Sequence, residues 1–194
     1  MYYPTLEAVK ALVSQGNLVP VYREIEADLE TPVSAFLKVA QPPYSFLLES
    51  VEGGERLARY SFIGTEPYAI LKTGPGQPGG AVDPLIGIKA EMDRYNLVPV
   101  PDLPRFHGGA VGYLAYDVIR YFEPKVPGSP RDPLGLPEAL FMFTDTLLVF
   151  DHLQHNIKVV SHVHLDGDIS KAYGEAIEKI DRLVHRLSMP LEMP

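Results

Sequence analysis

Two adjacent runs near the end of the chain constrain its fold most. ALFMFTDTLLVFDH (139–152) and IKVVSHVH (157–164) are rich in β-branched and aromatic residues and are separated by a short polar turn, HLQHN. The first alternates imperfectly, as a strand buried on both faces would. The second reads as its hairpin partner, with His162 and His164 on one face. A long hairpin of this kind needs other strands beside it and a layer across it.

The rest of the sequence supplies those parts. Thr5 precedes Leu6, Val9, Leu12 and Val13 at helical spacing, and Gly16 is a natural stop. LVPVYREI (18–25) reads as a strand whose Pro20 suits an edge or a strand start. TPVSAFLKVA (31–40) and the stretch from Asp83-Pro84 to about Tyr95 each pair an N-cap with an N1 proline. YAILKT (68–73) and GGAVGYLAY (108–116) read as strands, the second as a buried one running into a short helix, DVIRYFE. Asp168 opens a last helix to about Leu187 with one apolar face. The predicted fold is α+β: a mainly antiparallel sheet with helices packed on one face, in one domain over 1–187, and a proline-containing linker over 188–194.

Bulk properties exclude some functions. The net charge of −8 opposes non-specific nucleic-acid binding. The chain has no cysteine, hence no disulfide or thiolate chemistry. No apolar run reaches the length of a membrane span, and no signal peptide is visible, so a cytoplasmic protein is expected. GPGQPGG (74–80) is a flexible loop without the lysine and hydroxyl of a phosphate cradle. The histidines read as polar strand and turn residues, His107 as a loop residue, and no metal-ligand spacing stands out. Asp117, Arg120 and Glu123 fall on one helix face as ion-pair candidates, and Tyr113 and Tyr116 read as packing residues. No catalytic residue is assigned.

The stretch FLLESVEGGERLARYSFIG (46–64) raises a separate question, because its first strand ends on a carboxylate and a hydroxyl. A two-residue turn at Gly53-Gly54 would pair residues whose numbers sum to 107. One face then carries Phe46, Leu48, Ser50, Leu57, Arg59 and Ser61, and the other Leu47, Glu49, Ala58, Tyr60 and Phe62. An apolar floor with a hydroxyl and a cation at its rim suits an amphipathic amino acid, with Glu49 for its ammonium group. Solvated strand-end residues and a surface ion partner are the plainer alternative.

Four blocks carry a resemblance: GNLVPVYREIEADLETPVSAFLKV (16–39), SFLLESVEGGERLARYSFIG (45–64), FHGGAVGYLAYDVIRYFE (106–123) and DPLGLPEALFMFTDTLLVFDH (132–152). In this order they resemble the N-terminal region of anthranilate synthase component I. The resemblance implies half of a two-sheet α/β/β/α sandwich. It implies an enzyme that makes anthranilate and pyruvate from chorismate and glutamine-derived ammonia, with a glutamine amidotransferase subunit as partner. It implies L-tryptophan as feedback inhibitor, with Leu48, Glu49 and Ser50 at its site. Arg59 is added from strand register alone. Magnesium and the catalytic residues are expected in a C-terminal region that this sequence does not include, so the fragment alone is expected to be inactive. Aminodeoxychorismate synthase component I shares some of these blocks, and a stand-alone amino-acid-sensing module is a further alternative.

Overall fold

The computed structural model describes residues 1–49, 59–123, 125–127 and 134–191. In chain order the elements are β1 (Tyr2–Tyr3), α1 (Leu6–Ala11), β2 (Leu18–Glu26), α2 (Pro32–Val39), β3 (Ser45–Glu49), β4 (Tyr60–Thr65), β5 (Ala69–Thr73) and α3 (Pro84–Met92). They continue with β6 (Gly109–Leu114), a 3-10 turn (Tyr116–Tyr121), β7 (Ala139–Thr144), β8 (Thr146–Asp151), β9 (Asn156–His164) and α4 (Ile169–Ser188). The chain divides into two compact units. Met1–Pro67, Tyr95–Gly108 and Thr144–Pro194 form the first, and Tyr68–Arg94 and Gly109–Phe143 the second.

The first unit is a six-stranded sheet in the order β1-β2-β9-β8-β4-β3. Every strand pair in it is antiparallel. The β8–β9 hairpin lies at its centre, as its composition demands. Strand β2 pairs with β9 along its whole length, whereas β1 covers only Tyr22 and Arg23 on the other side. Pro20 therefore sits where β2 has no β1 partner, which suits a residue without an N–H.

Alternation sends Val19, Val21, Ile63, Leu148, Phe150, Ile157, Val159 and Val163 to one face, against Val9 of α1, Ala35 and Val39 of α2, and Ala176, Ile180, Leu183 and Leu187 of α4. This is the main core; each aliphatic side chain fully buried there contributes roughly 1.5–3 kcal/mol as an upper estimate. The other face holds a smaller cluster of Tyr22, Leu147, Val149 and Val160, with Phe62, Val100 and Leu103 against it.

Helix starts follow the predicted caps. The side chains of Thr5, Asp83 and Asp168 accept from the amides of Ala8, Leu85 and Lys171. Thr31 and Ser34 exchange side-chain and backbone bonds in a reciprocal capping box. The ends of α2 and α4 are joined as well. Lys38 donates to the Leu187 carbonyl at 3.0 Å and ion-pairs with Glu30, while Arg186 donates to the Val39 carbonyl at 3.4 Å and to Glu66 at 2.6 Å. Each helix thus supplies a cation to the last carbonyls of the other.

The second unit is a three-stranded sheet in the order β5-β7-β6. Gly112 permits the tight β6–β7 approach, since a Cβ there would lie 1.9 Å from the Leu140 carbonyl oxygen. Arg120 and the Tyr121 hydroxyl both donate to Glu138, just ahead of β7. The arginine, an ion-pair candidate from its sequence, is thus directed to Glu138. Strand β6 is less buried than expected: Tyr113 and Leu114 are exposed, and so is Tyr116.

The run 139–152 is also not one strand. It breaks at Asp145, which sends β7 into the small sheet and β8 into the large one. The Asp145 carboxylate accepts from Lys179 of α4 at 2.6 Å and from the Thr146 hydroxyl at 2.9 Å. A polar residue with its own partners can end one strand and begin the next without leaving an orphaned group.

Candidate functional site

Strand β3 is the last strand of the large sheet, and Glu49 is its final residue. Glu49 lies opposite Ser61 and Leu48 opposite Phe62. Paired numbers therefore sum to 110, not 107, which corrects the expected register. A shift of three is odd, so it exchanges faces. Ser61 shares a face with Glu49 and Leu47, and Phe46 and Leu48 share the other with Phe62 and Gly64. A glycine pair fixes register only if the turn spans just two residues, and Gly53-Gly54 lies outside the described residues, as does Ser50. Leu48 and Glu49 point to opposite faces, and Leu48 remains 42% exposed.

On the Glu49 face, β4 and β8 bring further groups together. Ser61 is fully buried, and its hydroxyl lies 2.8 Å from His152 Nε2. The His152 ring stacks on Phe150 with centroids 6.3 Å apart. This pairing satisfies the serine hydroxyl inside the core edge.

Arg59 lies just before β4, with its carbonyl accepting from the His152 amide at 2.9 Å. Its Nε donates to Asp151 Oδ1 at 3.0 Å and its Nη2 to Oδ2 at 2.6 Å. Asp151 Oδ1 also accepts the amides of Leu153 and Gln154 at 3.1 and 3.2 Å. The Asp151 side chain is 2% exposed and that of Arg59 34%. Burial alone would push the Asp151 carboxyl up, but the Arg59 and backbone N–H donors outweigh it and hold it below the ordinary carboxylate range. Bonding to Asp151 in turn raises Arg59. The guanidinium also lies over the Tyr60 ring, 4.8 Å from its centroid. One carboxylate thus fixes both the start of β4 and the β8–β9 turn.

The structure brings Glu49 and Ser61 together, and places Arg59 on Asp151. It adds Asp151, which sequence reasoning did not single out and whose only signal was its position at the end of a β run, and it gives His152, read from the sequence as a polar strand or turn histidine, a partner in Ser61. It also pairs His107 with His162. Among the described residues, no group of three or more histidines or carboxylates is placed to hold a metal ion. No helix of the described residues is long and apolar enough to cross a membrane.

Anthranilate synthase component 1 of Acetivibrio thermocellus is 43% identical over 196 residues, covering 96% of this chain and 39% of that protein. A probable anthranilate synthase component 1 of Schizosaccharomyces pombe is 45% identical, covering 99% of this chain and 39% of that protein. The chain therefore spans about two-fifths of the length of these curated relatives. The crystal structure of anthranilate synthase component I from Streptococcus pneumoniae shares the fold, with a TM-score of 0.55 at 23% identity over 86% of this chain and 37% of that one. The family model for chorismate binding enzymes matches residues 43–193. The chain belongs to the chorismate-binding enzyme family.

Proposed function

We propose that this chain is the N-terminal, regulatory part of an anthranilate synthase component 1. One observation carries this reading: relatives of that name are 43% and 45% identical over nearly the whole chain. The complete protein would convert chorismate and ammonia to anthranilate and pyruvate in the cytoplasm. A glutamine amidotransferase subunit would release the ammonia. Magnesium and the reacting groups would belong to residues outside this chain, so the chain alone would not turn over chorismate. Anthranilate fluorescence from the complete protein, given chorismate and ammonium, tests the activity. An aminodeoxychorismate product would assign the chain to the sister enzyme.

L-Tryptophan is the proposed inhibitor, and Leu48, Glu49 and Ser50 are its proposed contacts at the end of β3. The carboxylate and hydroxyl at a strand end offer an acceptor for an ammonium group and a partner for a carboxylate. Arg59 would act through its fixed position on Asp151, at the far side of the segment that Ser50 begins. Inhibition would be linkage: tryptophan that binds one arrangement of the protein better shifts the population toward it, without touching the reacting atoms.

Calorimetry on the complete protein carrying Ser50→Ala should show tryptophan bound more weakly by about 1–3 kcal/mol, the cost of one buried hydrogen bond. Unchanged affinity would remove Ser50 from the site.

A further inference from the structure

His107 and Asp145 flank the stretch 109–143 that interrupts the first unit, and His162 of β9 touches both. His107 stands two residues before the chain enters the second unit at Gly109, and Asp145 comes one residue after it returns at Thr144. The rings of His107 and His162 stack with centroids 5.2 Å apart, and His107 Nδ1 lies 3.1 Å from His162 Nε2. His162 Nδ1 lies 2.8 Å from the Asp145 carbonyl oxygen, which also accepts the His162 amide at 3.1 Å. Gly108 makes room for this arrangement: a Cβ there would sit 2.5 Å from His162 Cε1. Both rings are buried, with 8% and 5% exposure.

The hydrogen-bond partners assign the protons. A backbone carbonyl only accepts, so His162 carries its proton on Nδ1. Its Nε2 is then an acceptor, and His107 must donate from Nδ1. The chain of bonds runs from His107 through His162 to Asp145. A first added proton on His107 Nε2 leaves both bonds intact. A second proton, on His162 Nε2, sets two N–H groups against each other and breaks the contact between the rings.

We infer that His107, His162 and the Asp145 carbonyl form an acid-released latch joining the chain's exit from the first unit to its return. Neutral rings close the latch, and protonation of both opens it. The other groups facing it are His164, on the same face of β9 and against the Tyr95 ring, and the Asp145 carboxylate, paired with Lys179 of α4. Burial lowers both histidines, His162 to about 4. Their folded values lie below the unfolded value of about 6.5, so the latch is intact above that pH. It weakens as the pH falls toward 4.

Nitrogen NMR of the intact protein with histidines labelled tests this directly. At pH 7 both rings should show the Nδ1–H form, which is the signature of the relay. Between pH 7 and 4 the His162 amide should lose about tenfold in exchange protection after correction for intrinsic rates. His107→Asn should hold that protection, because an amide can turn from donor to acceptor when His162 gains its proton. If His107→Asn does not fold, His162→Asn takes its place: its side chain donates to the Asp145 carbonyl and takes up no proton, so the protection at residue 162 should not change with acid. An Nε2–H form at His162, or equal acid loss in the wild type and the asparagine variant, would overturn the latch.

Discussion

Helices α4 and α3 show how differently the two units are built. In α4 the apolar residues Ala176, Ile180, Leu183 and Leu187 are buried against the large sheet, while lysines, glutamates and arginines occupy the outside. In α3, PLIGIKAEM, apolar residues lie all around the helix and only Pro84 is buried. Ile86 is 67% exposed, and Leu85 and Met92 are exposed too. Helices that are apolar on every side are normally enclosed. The first unit therefore encodes its own packing, whereas the second depends more on local close approach, as at Gly112 and Gly87, whose added Cβ would meet Leu71 at 3.2 Å.

Three substitutions would sharpen or break this contrast. The largest effect is expected from Leu148→Ala, which empties a fully buried position in the main core. It should cost about 2–5 kcal/mol in urea unfolding. In the second unit, Gly112→Ala drives a methyl group into the Leu140 carbonyl and should cost about 1–3 kcal/mol. Glycine amide signals should report its damage first in residues 68–94 and 109–143. The smallest effect is expected from Ile86→Ser, within about 0.5 kcal/mol of the wild type. A loss of about 2 kcal/mol or more there would show that α3 is packed, and the contrast would fail.

Much of the first unit was legible in the sequence because short-range chemistry fixes it. Thr5, Thr31 and Asp168 announce helix starts through bonds only about three residues long, and Asp83 does the same in the second unit. The β8–β9 hairpin follows from composition and a polar turn. Register was not legible. The partner of Glu49 is Ser61 rather than Ala58, and that choice depends on the span of a loop, not on any residue pair. The division of 139–152 between two sheets was hidden for a related reason. Alternation tells one face from the other, but not which sheet a strand joins, and Asp145 is the only mark of the change. For the candidate site, the ending of β3 on Glu49 was visible. The Arg59–Asp151 pair joins residues 92 apart in sequence and depends on β4 lying beside β8.

The insertion of the second unit within the sequence of the first has a consequence for how the chain is made. All residues of the second unit have been synthesised once Phe143 is added. The large sheet then still lacks β8 and β9, which hold β2 and β4 in one sheet. During synthesis the inserted unit can therefore form while the other waits, with β2 and β4 lacking their central partners. The pairing of β2 with β9 joins Leu18 to His164, a long-range step of the kind that slows folding. Of the two units, the inserted one is complete first, and the larger core must wait for β8, β9 and α4.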